Sequence, residues 1–126
     1  MINNFDFSHE RDLTCDILIN RVSAYYPDAD FVMLRKAFNF ATKANEGQKR
    51  SSGEDYIIHP INVSATLVKL RMDLDSIIAG LLHDAYEFEN NNNAVSQISK
   101  RFGVKVSNIV KQCSNFIEVD INKENG

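Results

Sequence analysis

The chain has 126 residues, 44% of them hydrophobic and 25% charged, with a net charge of −3 and a pI near 5.5. That is the size of one globular domain, large enough to bury a core without disulfides or metals as staples. Five glycines and two prolines exclude collagen-like and proline-rich classes, and the lack of a basic excess argues against a DNA partner.

The start, Met1 to Asp6, has no basic residue followed by an apolar stretch, so no secretory signal is read there and a cytoplasmic location is expected. Hydrophobic spacing is then helical almost throughout. Leu13, Ile17 and Ala24 mark a first helix that Pro27 ends. Asp28 or Asp30 caps a second, whose apolar face is Leu34, Ala37, Phe38, Ala41 and Ala44. From Asn45 to Asp55 the chain is polar and carries two glycines, which predicts a loop. A third helix starts at Pro60, where proline needs no N–H bond, with Val63, Leu67 and Leu70 as its buried stripe.

Asp73 or Asp75 caps a fourth helix buried through Ile77, Ile78, Leu81 and Leu82. The run from Ile77 to Leu82 falls far short of the roughly 20 residues that span a bilayer, so no membrane partner is expected. Asn90 to Asn93 form a connector. A short helix with Val95, Ile98 and Phe102 follows and stops at Gly103. Val106, Ile109, Val110 and Cys113 mark a last helix, and the polar tail 118–126 is expected to fray. Cys15 and Cys113 fit no metal spacing and read as reduced, mostly buried thiols. The sequence thus predicts an all-α bundle of about six helices in a single domain, 1–126.

Two places carry chemistry. His83-Asp84 follows the apolar run of the fourth helix, where buried polar groups need partners. Glu87 comes four residues after His83, on the same face of a continuing helix, and His59 stands just before Pro60. Imidazole and carboxylate together suit a divalent ion, although a neighbouring His-Asp pair is also a common structural feature. The second place is the loop, where Lys49, Arg50, Ser51 and Ser52 precede Gly53. Such residues neutralise phosphate and donate to its oxygens, and the plain alternative is a solvated basic turn.

The string from Ala41 to Pro60, with Gly47-Gln48-Lys49-Arg50-Ser51-Ser52-Gly53-Glu54-Asp55-Tyr56 and His59-Pro60 inside it, resembles the start of the HD hydrolase domain of RelA/SpoT homologues, the bacterial stringent-response enzymes. Ile78 to Glu87, with Leu82-His83-Asp84, resembles their metal-binding helix, and Phe102 to Val106 the segment after it. The resemblance implies an HD-domain-like helical bundle that removes the 3′-pyrophosphate of guanosine tetra- or pentaphosphate. It implies Mn²⁺ held by two histidines and two aspartates, three of which match His59, His83 and Asp84. It makes Glu87 the group that activates or orients water, and Arg50, Ser52 and Lys49 the nucleotide-binding residues.

The departures carry expectations too. Phe88 stands where the family has aspartate, Asn45 where it has histidine, and Ser51 where lysine is common. The family's fourth metal ligand lies in a later helix, and this chain reaches Gly126 before that motif, so the domain is read as partial. Weak or lost hydrolysis is the expectation. The alternatives are an inactive nucleotide-binding module, or an interaction fragment whose last helix needs a complementary helical segment or a second copy to cover it. The family's synthetase domain has no counterpart in these residues.

Overall fold

A computed structural model describes residues 10–49, 51–84 and 94–112. Among them the chain is all-α, as the hydrophobic spacing predicts: α1 (Cys15–Ser23), α2 (Phe31–Ala44), α3 (Ile58–Lys69), α4 (Leu74–Leu82) and α5 (Ala94–Phe102), then a helical run over 104–112. The one sheet-like feature described is an isolated antiparallel bridge between Lys49 and Asp55.

Capping follows the sequence closely. Thr14 caps α1 by accepting from the Ile17 N–H, and Asp30 rather than Asp28 caps α2 by accepting from the Met33 N–H. Asp73 rather than Asp75 caps α4: it accepts from the Ser76 N–H at 3.2 Å and from the Ser76 hydroxyl at 2.8 Å. Gly103 follows α5 with φ of +99°, a conformation that suits glycine, and its N–H returns to the Ser99 carbonyl. The connector Asn90 to Asn93, Cys113 of the last helix and the tail 118–126 lie outside the described residues.

α4 is buried on every side, from Ile77 to Leu82, and is the centre of the bundle. Leu18 and Val22 of α1, Leu34, Ala37 and Ala41 of α2, Ile98 and Phe102 of α5, and Val106 and Val110 beyond it belong to the same core. Two expected faces are corrected. In α1 the buried residues are Cys15, Leu18 and Val22, while Ala24 is exposed and Leu13 is buried ahead of the helix. In α3 the buried stripe is Ile61, Ser64, Ala65 and Val68; Val63 and Leu67 are half-buried and Leu70 is exposed.

The reason for the α3 rotation is the close approach of α3 and α4. Gly80 of α4 lies against Leu67, Val63 and Ser64 of α3, where an added Cβ would sit 3.0 Å from Leu67 Cδ1 and 3.6 Å from Ser64 Cα. The buried Ser64 hydroxyl donates to the Ile77 carbonyl at 3.2 Å, so its burial leaves no unmet hydrogen bond.

Helix α3 also starts earlier than its proline. It begins at Ile58, so Pro60 is its third residue and His59 lies inside the first turn. Proline is tolerated there because the first four N–H groups of a helix have no intrahelical acceptor. At the other end α3 closes with a paired backbone motif. The Met72 N–H bonds to Leu67 O and the Arg71 N–H to Val68 O, with Arg71 in the left-handed region at φ of +57°. That turn reverses the chain into α4, so the two helices run antiparallel and the start of α3 meets the end of α4.

Candidate metal centre

The antiparallel hairpin decides the site. His59 leaves the first turn of α3, His83 is the C-cap of α4, and Asp84 follows it. One ligand-type atom from each of His59, His83 and Asp84 lies within 4.8 Å of the other two. His59 Nε2 is 3.5 Å from Asp84 Oδ2, and His83 Nε2 is 3.3 Å from Asp84 Oδ1. The two imidazole rings are 5.7 Å apart at 64°, and the Tyr56 ring stands edge-on to His59 at 5.9 Å.

The tautomer of His83 follows from its neighbour. Nδ1 lies 2.7 Å from the Gly80 carbonyl, which can only accept, so Nδ1 carries the proton. In the neutral ring Nε2 then holds a lone pair, aimed at a carboxylate oxygen that also offers lone pairs. A proton or a cation between them turns that repulsion into attraction. Asp84 sharpens the point: the residue is 5% exposed, and Oδ2 is buried without a hydrogen-bond partner. The His59 nitrogen near it meets the distance of an ion pair but not the geometry of a hydrogen bond. An uncompensated buried carboxylate is expensive, and a divalent cation bound by both imidazoles offsets it. The donor set of two nitrogens and a carboxylate suits a first-row divalent ion. The residues therefore fit a metal, with the backbone acceptor for His83 as the outer support that ligating histidines ordinarily have.

The polar loop folds back on itself beside this centre. Gly47 and Gly53 take φ of +79° and +88°, the Tyr56 N–H bonds to Gln48 O, and the bridge between Lys49 and Asp55 closes the loop. Lys49 and Ser52 both line a pocket of about 440 Å³ that reaches Ile58, the neighbour of His59. Lys49 is not a bare cation there, because its Nζ lies 2.8 Å from Asp55 Oδ1. Ser52 accepts from the Glu54 N–H at 3.4 Å. Arg50 and Glu87, both expected in the site, lie outside the described residues, as does Phe88.

Sequence reasoning missed two residues that the fold brings to this edge. Arg11, from the segment before α1, lines the same pocket and pairs with Glu54 at 3.0 Å. Asn62 holds that segment down: its side chain bonds both the N–H and the carbonyl of Glu10, at 2.7 Å each. Arg21 clamps the Glu10 carboxylate with two bonds of 3.0 Å. No local signal marks Arg11 or Asn62, since both contacts join segments far apart in sequence. Asn45, the substitution noted above, is 2% exposed; it donates to Ala41 O at 2.7 Å, and its Oδ1 is buried without a partner.

Residues 37–125 match the model of the HD domain family. The chain is 38% identical over 89 residues to a GTP pyrophosphokinase of Myxococcus xanthus, an overlap covering 71% of this chain and 12% of that protein. It is 38% identical over 93 residues to the guanosine-3′,5′-bis(diphosphate) 3′-pyrophosphohydrolase of Aquifex aeolicus, covering 74% of this chain and 13% of that one. It is 36% identical over 93 residues to the bifunctional (p)ppGpp synthase/hydrolase SpoT of Escherichia coli, again 74% and 13%. The chain thus spans about an eighth of the length of the curated relatives it matches. Helices that bring two histidines onto one aspartate, a match to the family over most of the chain, and relatives of this kind place the chain in the HD domain family, in its RelA/SpoT branch.

Proposed function

We propose that the chain is a divalent-metal-dependent hydrolase domain that removes the 3′-pyrophosphate from guanosine tetra- and pentaphosphate, with Mn²⁺ as its metal. The observation that carries this reading is the convergence of His59 and His83 on the buried Asp84 carboxylate, whose Oδ2 has no hydrogen-bond partner. A divalent ion held there supplies Lewis acidity and offsets charge at phosphoryl oxygens.

The chain's own residues do the rest. His59, His83 and Asp84 hold the ion, and the Gly80 carbonyl keeps His83 Nε2 turned toward it. Lys49, Ser52 and Arg50 bind the phosphates. An arriving phosphate competes with Asp55 for Lys49 and with Glu54 for Arg11, so each cation contributes only the difference between two ion pairs. Glu87 takes the proton of the attacking water. Phe88 offers no second acid or base, and one such group is typically worth about 10²–10⁴ in rate. Slow turnover follows.

The test is incubation of the purified chain with guanosine tetraphosphate and Mn²⁺, beside His83→Ala and a metal-free sample. Pyrophosphate released only by the wild-type protein with metal supports the reading. Phe88→Asp then accelerates release by about a hundredfold or more. A folded wild-type protein that releases none, with Phe88→Asp equally silent, overturns it.

A further inference from the structure

A second feature lies outside the metal centre and its loop. Between α2 and α5 runs a groove of about 580 Å³, lined by Lys36, Phe40, Lys43, Lys100, Arg101 and Phe102 among others, with no acidic side chain in its wall among the described residues. Among the described residues none of its four cations forms an ion pair. This is unusual in a chain of net charge −3, where acidic groups outnumber basic ones 17 to 14. Helix dipoles explain part of it, because Lys43 sits in the last turn of α2, and Lys100 and Arg101 in the last turn of α5. They do not explain Lys36, in the body of α2, nor the convergence of two helix ends on one groove.

The groove is also built rather than incidental. Phe40 and Phe102 meet edge to face at 5.8 Å, and the Arg101 guanidinium lies 5.3 Å from the centre of the Phe40 ring. Packing over the ring holds the guanidinium in place, so less side-chain freedom is lost when an anion binds.

We infer that the groove between α2 and α5 is a binding site for a small oligophosphate anion, separate from the metal centre, with Lys36, Lys43, Lys100 and Arg101 as its cationic ligands. A small anion fits better than a nucleic-acid strand. The volume is that of a single small-molecule site, and the nearby Arg35 is already paired with Asp16, so the basic surface does not extend into a track.

The experiment uses the full chain stripped of metal and titrated calorimetrically with inorganic triphosphate at low salt. Saturable binding is expected, weakened about tenfold in the double variant Lys36→Ala/Lys100→Ala. Saturable binding persists in Lys49→Ala, which separates this groove from the proposed hydrolase site. The four lysine and arginine side chains are exposed, and thermal melting confirms that the variants are folded. The inference is overturned by absence of binding to the wild type, by equal binding to the double variant, or by loss on Lys49→Ala. Tighter binding of a single-stranded RNA oligomer than of triphosphate overturns it as well, in favour of a nucleic-acid surface.

Discussion

His59 Nε2 and Asp84 Oδ2 face each other at 3.5 Å across the open end of the α3–α4 hairpin, one from the first turn of α3 and the other just past the end of α4. The contact is longer than an ordinary hydrogen bond, and Asp84 Oδ2 has no hydrogen-bond partner. Both atoms therefore gain most from a cation bound by them together.

That relationship predicts a metal-dependent gain in stability. A ligand at a hundred times its dissociation constant stabilises the folded state by about 2.7 kcal/mol, which raises the melting temperature by several degrees in a domain of this size. Melting curves with and without millimolar Mn²⁺ should show this rise for the wild type and not for Asp84→Asn. Without metal, Asp84→Asn should melt at or above the wild-type temperature, because it removes a buried carboxylate oxygen that lacks a hydrogen bond. An equal response of both proteins to metal would place the ion elsewhere.

Gly80 sets the distance between α3 and α4. A Cβ there meets Leu67 Cδ1 at 3.0 Å, and further branching runs against the Ser64 backbone. Gly80→Val should cost about 1–3 kcal/mol by overpacking. It should also weaken Mn²⁺ binding, because the hairpin that brings His59 to Asp84 is forced apart. Urea unfolding paired with a metal titration checks both; a loss of stability with metal affinity intact would uncouple the helix spacing from the site.

Arg71 occupies a left-handed position, at φ of +57°, that glycine fills without strain. Its backbone N–H bond to the Val68 carbonyl is independent of the side chain. Arg71→Gly should therefore stabilise the protein by about 0.5–1 kcal/mol, net of the freedom glycine adds to the unfolded chain. Chemical denaturation reads this as a higher midpoint at constant slope, and a lower midpoint would show that the arginine side chain contributes more than its backbone strain costs.

Asp73 caps α4, and the Ser76 hydroxyl and backbone N–H hold its carboxyl below the usual carboxylate range. Asp73→Ala should cost about 1 kcal/mol at neutral pH. The carboxyl is depressed in the folded state, so its contribution is fully present above the unfolded value of about 3.9 and is lost as pH falls through the lower folded value. The stability gap between wild type and variant should accordingly narrow below about pH 4. Denaturation at pH 7 and at pH 3.5 tests this, and a gap that stays constant would assign the cap to a charge-independent effect.

The chain by itself determined the helices, the caps of α2 and α4 to within two aspartates each, and Ile77, Ile78, Leu81 and Leu82 as buried residues of α4, because those depend on periodicity and on residues a few positions apart. It also carried His59, His83 and Asp84 as ligand candidates, since their order and spacing are local facts. The faces of α1 and α3 were not legible: which stripe is buried depends on the neighbour, and Gly80 and Ser64 let α4 approach α3 along a line the large side chains do not mark. Tertiary structure alone decided that the end of α4 lies against the start of α3, because a left-handed turn at Arg71 reverses the chain and small residues let the helices pack closely. It alone brought Arg11 to the phosphate loop and set Arg101 over Phe40, contacts made between segments that no local pattern connects.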